Sequence, residues 1–276
     1  MEALGLAQLS DFLPLLMGLV IAAMIGGFIA GLLGVGGGIV IVPALFWLLS
    51  FIKFNPQLAM HTAVGTSLAT IIATSISSMR AHNKKSAVDW HVFKVWLPTM
   101  TLGALSGGIA AKFISANALT LIFACLAILV AINLFKPVSL TFATELPSRK
   151  KQGIISGLIG FASALMGIGG GTFSVPTLVG YSFPTHRAVG TAAALGLIIA
   201  IPATIGFIIS GWGQSGLLPL SLGYVNLIAV LVILPFTVFF APIGAKMAHK
   251  LPESAIKKAF ALFLIATAAR MLFSFT

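Results

Sequence analysis

Two stretches of this chain are copies of one another. Gly34–Leu45, which reads GVGGGIVIVPAL, recurs at Gly167–Leu178 as GIGGGTFSVPTL, identical at seven of twelve positions, including every glycine and the proline. A second shared string follows each copy, His61-Thr62-Ala63-Val64-Gly65-Thr66 and His186-Arg187-Ala188-Val189-Gly190-Thr191. The same order in both halves marks an internal duplication. Three successive glycines do not sit in ordinary helix, where each costs about 1 kcal/mol against alanine. The chain therefore breaks twice, at corresponding places.

The setting of the breaks decides what they are for. Of the 276 residues 59% are hydrophobic and 8% charged, against about a quarter charged in a soluble domain, and the mean hydropathy is +1.11. The whole of 1–276 reads as a single all-α, polytopic membrane domain. The net charge of +11 does not point to nucleic acid, because the cations fall in short loops between apolar runs, where they set membrane orientation. Glu2, with no Lys or Arg before the first apolar run, predicts that this run is a span and not a signal peptide. Cys125 is the single cysteine, so no intramolecular disulfide is expected. The five acids, Glu2, Asp11, Asp89, Glu145 and Glu253, all lie at segment ends or in loops. Proton relays and cation sites in membranes use buried carboxylates, so anions and neutral solutes remain as cargo.

Five apolar segments are expected in each half: 12–34, 38–52, 57–80, 92–113 and 117–135, then 153–168, 171–182, 185–210, 222–247 and 254–274. A crossing helix needs about 20 residues. The second segment is short in both halves, which predicts a Gly/Pro-broken short helix or re-entrant element. Asn55-Pro56 and Pro184-Thr185 read as helix starts. Repeat 1 spans 11–135, a cytoplasmic linker 136–151, and repeat 2 152–275. Loops 80–94, 136–151 and 246–258 carry the Lys and Arg excess and are expected inside, whereas 211–221 has no charge and is expected outside. Corresponding loops thus fall on opposite sides. The expected architecture is a pair of inverted repeats, in which broken segments at matching positions mark the transport site.

The candidate substrate-binding residues follow from that pattern. Gly36, Gly37, Gly38, Gly169, Gly170 and Gly171 open helices whose first N–H groups lack intrahelical partners and suit an anion; Pro43 and Pro176 complete the motif. The same glycines would equally serve close helix packing. Gly65 and Gly190 allow close approach, and Thr66, Ser67 and Thr191 offer hydroxyls, which could instead bond their own helix backbone. His61 and His186 are candidate donors that titrate near neutrality, or simply hydrated interfacial residues. Arg187 is the best single cation for an anionic substrate, or else a lipid-headgroup anchor. Arg270, Lys112 and Lys246 read as anchors near helix ends. Gly213-Gln214-Ser215-Gly216, with His249 later, is a weak match to a serine-protease pattern in an uncharged loop. The expectation is no enzyme, no metal and no cofactor.

The duplicated G-x-G-G-G-x-x-x-x-P with the following H-x-A-V-G-T resembles the sulfite exporter TauE/SafE family, also called toluene sulfonate uptake permeases, over both halves. The resemblance implies a permease of the plasma (inner) membrane moving sulfite, sulfoacetate, other sulfonates or thiosulfate, with seven or eight spans. The expected partners are a small anionic substrate and the lipid bilayer, and a homo-oligomer is compatible with the chain. The sequence carries no ATP-binding motif, so a gradient is the expected driving force. The alternatives are a permease for another small metabolite, an intramembrane serine protease using Ser215, and a non-transporting assembly or signalling membrane protein.

Overall fold

The computed structural model describes residues 2–135, 143–248 and 253–273. Lys136, Pro137, Ser139 and Thr141 of the linker, and His249 and Lys250, lie outside the described residues. The helices are α1 (Glu2–Leu33), α2 (Gly38–Phe51), α3 (Pro56–Asn83), α4 (Trp90–Ala110), α5 (Ala116–Phe135), α6 (Arg149–Met166), α7 (Gly171–Gly180), α8 (Thr185–Ser210), α9 (Leu227–Met247) and α10 (Glu253–Phe273). Each expected segment is a helix, and α2 and α7 are the short ones.

The differences are local. α1 begins at Glu2 and not near 12. The segment expected from 222 starts its helix five residues later, because Ser221–Leu222 and Val225–Asn226 pair as a small antiparallel hairpin turned at Gly223, φ +53. Asn226 then caps α9, its side chain accepting from Ala229 N–H. Asn55 caps α3 in the same manner, through Gln57 N–H. Pro184 stands at the start of α8 with no side-chain acceptor, so it contributes a fixed φ and not a cap. A 3₁₀ turn, Ala111–Phe113, ends α4.

Five helices are long and apolar enough to cross a membrane among the described residues: α1 (over Leu16–Leu33), α3, α5, α8 and α9. Of α3 and α8, 78% and 72% are buried, against 39% of α5 and 22% of α9. The third helix of each half is therefore central, and the outward Leu129, Leu231 and Phe239 form part of an apolar exterior, as hydrocarbon requires. The main helix pairings are the same when the halves are exchanged. α1 packs on α9 as α6 packs on α4, α4 on α8 as α9 on α3, and α3·α8 and α5·α10 map onto themselves. Small residues permit the approach: a Cβ on Gly27 of α1 would lie 2.6 Å from Thr237 Cα of α9, and one on Gly107 of α4 would lie 2.6 Å from Phe161 O of α6.

Candidate functional site

The two glycine breaks meet each other. A Cβ on Gly36 would lie 2.8 Å from Gly169 Cα, and a Cβ on Gly169 would lie 2.8 Å from Gly36 Cα. The contacts around them are reciprocal too. A side chain on Gly38 would strike Gly167 O, and one on Gly171 would strike Gly34 O. Gly34, Gly36 and Gly37 take left-handed φ of +70°, +78° and +78°, and Gly167 one of +67°, a region that other residues avoid. Gly169 N–H donates to Val35 O at 3.2 Å, and Ser67 Oγ donates to Gly167 O at 2.8 Å. Gly36, Gly37, Gly38, Gly169, Gly170 and Gly171 are all buried. α2 and α7 thus begin from breaks that touch in the buried interior, and the first N–H groups of such helices lack the i−4 carbonyl that later ones have. Pro43 is buried within α2 and Pro176 exposed within α7, and both helices run continuously past them. The interruption comes from the glycines.

The second string has a different task. Thr66 Oγ1 accepts from Asn226 N–H at 3.0 Å, and Thr191 Oγ1 accepts from Asp89 N–H at 2.9 Å. Asn226 and Asp89 are the caps of α9 and α4, the fourth helices of the two halves. Beside them a Cβ on Gly65 would lie 2.9 Å from Tyr224 O, and one on Gly190 2.6 Å from Ala87 O. Each Gly-Thr pair therefore receives the connection between third and fourth helices of the opposite half. Thr66→Val and Thr191→Val each leave a backbone N–H without its acceptor, a loss of about 1–3 kcal/mol for a buried group. The buried Thr66–Asn226 contact should show the larger drop in thermal unfolding, since Asp89 is less deeply buried than Asn226.

The halves are not equivalent at these docking points. Arg187 Nη2 donates to Asp89 Oδ2 at 2.6 Å, and its guanidinium lies 5.2 Å from the Phe183 ring centroid. Asp89 Oδ1 meanwhile accepts from His91 and Val92 N–H at the start of α4. The cation singled out for substrate is held by a carboxylate across the two halves. At the corresponding place in the other half stand Thr62 and Asn226, both neutral and buried. His61 is buried, its Nε2–H shared between Ala111 O and Ile114 O at 3.0 Å each, with its ring 4.8 Å from that of Tyr224. It pins α3 to the end of α4 and to the hairpin. His186 is exposed. Asp89 and Asn226 were the residues that motif reasoning left out, although an Asp or Asn directly before an apolar run is a helix-start signal.

Thr62, Thr66 and Asn226 are also polar members of a cavity of about 170 Å³ between α1, α2, α3 and α9, walled by residues such as Leu19, Leu45 and Leu49 and, among the described residues, lined by no acid or base. No grouping of His, Cys, Asp and Glu able to hold a metal occurs among the described residues. Ser215 is exposed in the loop after α8. Arg270 lies over the Trp47 ring at 4.8 Å, and Lys112 sits in the 3₁₀ turn.

Comparison with known proteins places this arrangement. The family described as sulfite exporter TauE/SafE matches residues 19–271. A probable membrane transporter protein of Haemophilus influenzae is 38% identical over 94% of this chain and 98% of its own. The probable membrane transporter protein YunE of Bacillus subtilis is 26% identical over 92% and 96% respectively. No solved structure matches. Matches that run through both breaks and both docking strings leave neither half unaccounted for, and the chain belongs to the sulfite exporter TauE/SafE family of membrane transporters.

Proposed function

We propose that the protein is a secondary transporter that moves a sulfur-containing or organic anion, such as sulfite, sulfoacetate or another sulfonate, across the plasma membrane. In this reading 11–135 and 152–275 are inverted repeats about the linker 136–151. The observation that carries it is the meeting of the two breaks. Two helices start in the buried centre with their positive ends there, which favours a negative ligand without a buried Lys or Arg. The inverted relation draws support from α3. Its C-terminal end leads directly into the connection that docks on Gly190 and Thr191, while the corresponding connection docks on Thr66, 17 residues earlier in the same helix. At 1.5 Å per residue Thr66 and the end of α3 that feeds the other connection stand roughly 25 Å apart. Rocking of the repeats about the central breaks would then open one connection at a time, with Arg187–Asp89 closing one face.

The neutral lining of the cavity at Thr62, Thr66 and Asn226 supports a second reading, a permease for an uncharged small metabolite. Flux into proteoliposomes separates them. Labelled sulfite and methanesulfonate should enter at least about a hundredfold faster than an ammonium ion of similar size, because a charge that the site does not complement costs about 2.5–3.5 kcal/mol at mid-membrane. Methanesulfonate is the cleaner probe, being charged at every pH used. Equal flux of anion and cation would overturn the anion reading, and flux of neutral solutes alone would favour the second.

A further inference from the structure

The duplicated strings set a register in which corresponding residues of the halves can be compared. Pairing His61 with His186 makes Ile71 the counterpart of Gly196 and Ser75 that of Ala200. Pairing Gly34 with Gly167 makes Ile39 and Ile41 the counterparts of Thr172 and Ser174. These pairs differ in chemistry, and they surround the two breaks.

At the first break Ile71, wholly buried, lies over the start of α2. A Cβ on Gly36 would come within 3.2 Å of Ile71 Cγ2, and one on Gly38 within 2.8 Å of its Cδ1. An aliphatic side chain covers that helix end. At the second break the corresponding position is Gly196, and the space is lined differently. A Cβ on Gly196 would lie 2.6 Å from Ser75 Oγ and 3.6 Å from the backbone nitrogen of Gly170, the residue directly before α7. The hydroxyl of α3 and the N-terminus of α7 therefore converge on the spot that Ile71 occupies in the other half. Ser75 is 1% exposed and its hydroxyl has no hydrogen-bond partner. The Thr172 and Ser174 hydroxyls, in the first turn of α7, are buried and unpartnered as well. Buried hydroxyls are nearly always paired, so the unpaired Ser75 hydroxyl beside the start of α7, with Thr172 and Ser174 unpaired in its first turn, points to an oxyanion as the partner.

We propose that the α7 N-terminus, with Gly170 N–H and the hydroxyls of Ser75 and Thr172, is the oxyanion-binding site of this transporter, and that the α2 N-terminus is closed to ligand by Ile71. The inference rests on the reading that the breaks hold the substrate, and it assigns that task to the second break alone. The ligand class is a compact oxyanion or the oxyanion head of an organic anion, taking hydrogen bonds from N–H and O–H donors at a helix N-terminus. As folded here Ser75 Oγ lies where a Cβ on Gly196 would have to go, so the anion enters when α3 and α8 part at Ser75 and Gly196. The site is occluded in this conformation.

The test uses the full-length protein with Cys125→Ser, carrying either Ser75→Cys or Ala200→Cys, in membranes treated with an anionic or a cationic methanethiosulfonate of similar size. Ser75→Cys should react at least about tenfold faster with the anionic reagent, and methanesulfonate should slow the reaction. Ala200→Cys should stay unreactive. No reaction at position 75, equal rates with both reagents, or equal reactivity at position 200 would overturn the assignment. Gly196→Ala gives an independent readout. The Ser75 hydroxyl can rotate away from the new methyl, so unfolding temperature should hold while methanesulfonate flux falls more than tenfold, and Ile71→Val should leave flux unchanged. Unaltered flux in Gly196→Ala overturns the proposal. A charge-selective Ser75→Cys in a protein that moves neither sulfite nor methanesulfonate upholds the site and removes those substrates. Normal flux with a charge-blind Ser75→Cys removes the site and leaves the transporter.

Discussion

Gly36→Leu is expected to destroy the folded protein, not merely its transport. At φ +78° a side chain brings backbone strain, roughly 1–2 kcal/mol for a single L-residue in the left-handed region. Its Cβ would also lie 2.8 Å from Gly169 Cα, where no side-chain rotation relieves the clash, because the neighbour is backbone. Overpacking of this kind costs typically 1–3 kcal/mol and more when backbone must move. The sum is several kcal/mol out of a total stability of about 5–15. Gly169→Leu meets the same backbone from the other side. Gly169 is not among the left-handed glycines, so Gly36→Ala should be more damaging than Gly169→Ala. Gly18 on α1 is the control, since a Cβ there has nothing within 4 Å, and Gly18→Ala should be silent. Size-exclusion profiles and unfolding temperatures of the purified variants check this. A Gly36→Leu protein that is monodisperse with an unchanged unfolding temperature would show that the breaks do not pack as described.

Labelling from the two sides of the membrane should give an all-or-none result. In a Cys125→Ser background, Ser215→Cys is expected to react with an impermeant maleimide in intact cells, and Lys85→Cys only after the membrane is permeabilised. Both positions are exposed, so reactivity reports side and not burial. The expectation has two independent supports. Loop 211–221 is free of charge, whereas 80–94 carries Arg80, Lys84, Lys85 and Lys94, and basic loops stay inside. The two connections also lie at opposite ends of α3, one docked on it at Thr66 and the other leaving it after Asn83 to dock on Thr191 of α8. Labelling of both from one side would end the inverted arrangement.

Much of the fold was legible in the residue order, because helices and breaks are local matters. The apolar runs, Asn55-Pro56 and the triple glycines located nine of the ten helix starts to within a few residues. α1 was the exception, as Asp11, placed at a segment end, lies inside the helix. The hairpin before α9 was missed because 222–226 was counted in the apolar run 222–247, and a two-residue strand leaves no periodicity. The site was less legible. Thr66 and Thr191 drew attention for their hydroxyls, yet both oxygens accept from backbone N–H groups 160 and 102 residues away. Arg187 stood out as a cation, and its partner Asp89 lies 98 residues earlier. Ser75 drew no attention, being one hydroxyl among several on α3.

By itself the sequence determined that this is a membrane protein of two related halves, each broken before a short helix, with no acid in mid-span. These follow from composition, from hydropathy along the chain and from the conformational demands of glycine, all of which act on neighbours in the chain. Only the tertiary structure decided that Gly36 and Gly169 touch, that each Gly-Thr pair receives the opposite half, and that Ile71 covers one helix end while Gly196 and the Ser75 hydroxyl meet at the other. A duplicated motif has the same local preferences in both copies. What makes the copies different is the side chain that other helices bring against each of them, and that depends on packing between residues far apart in the chain.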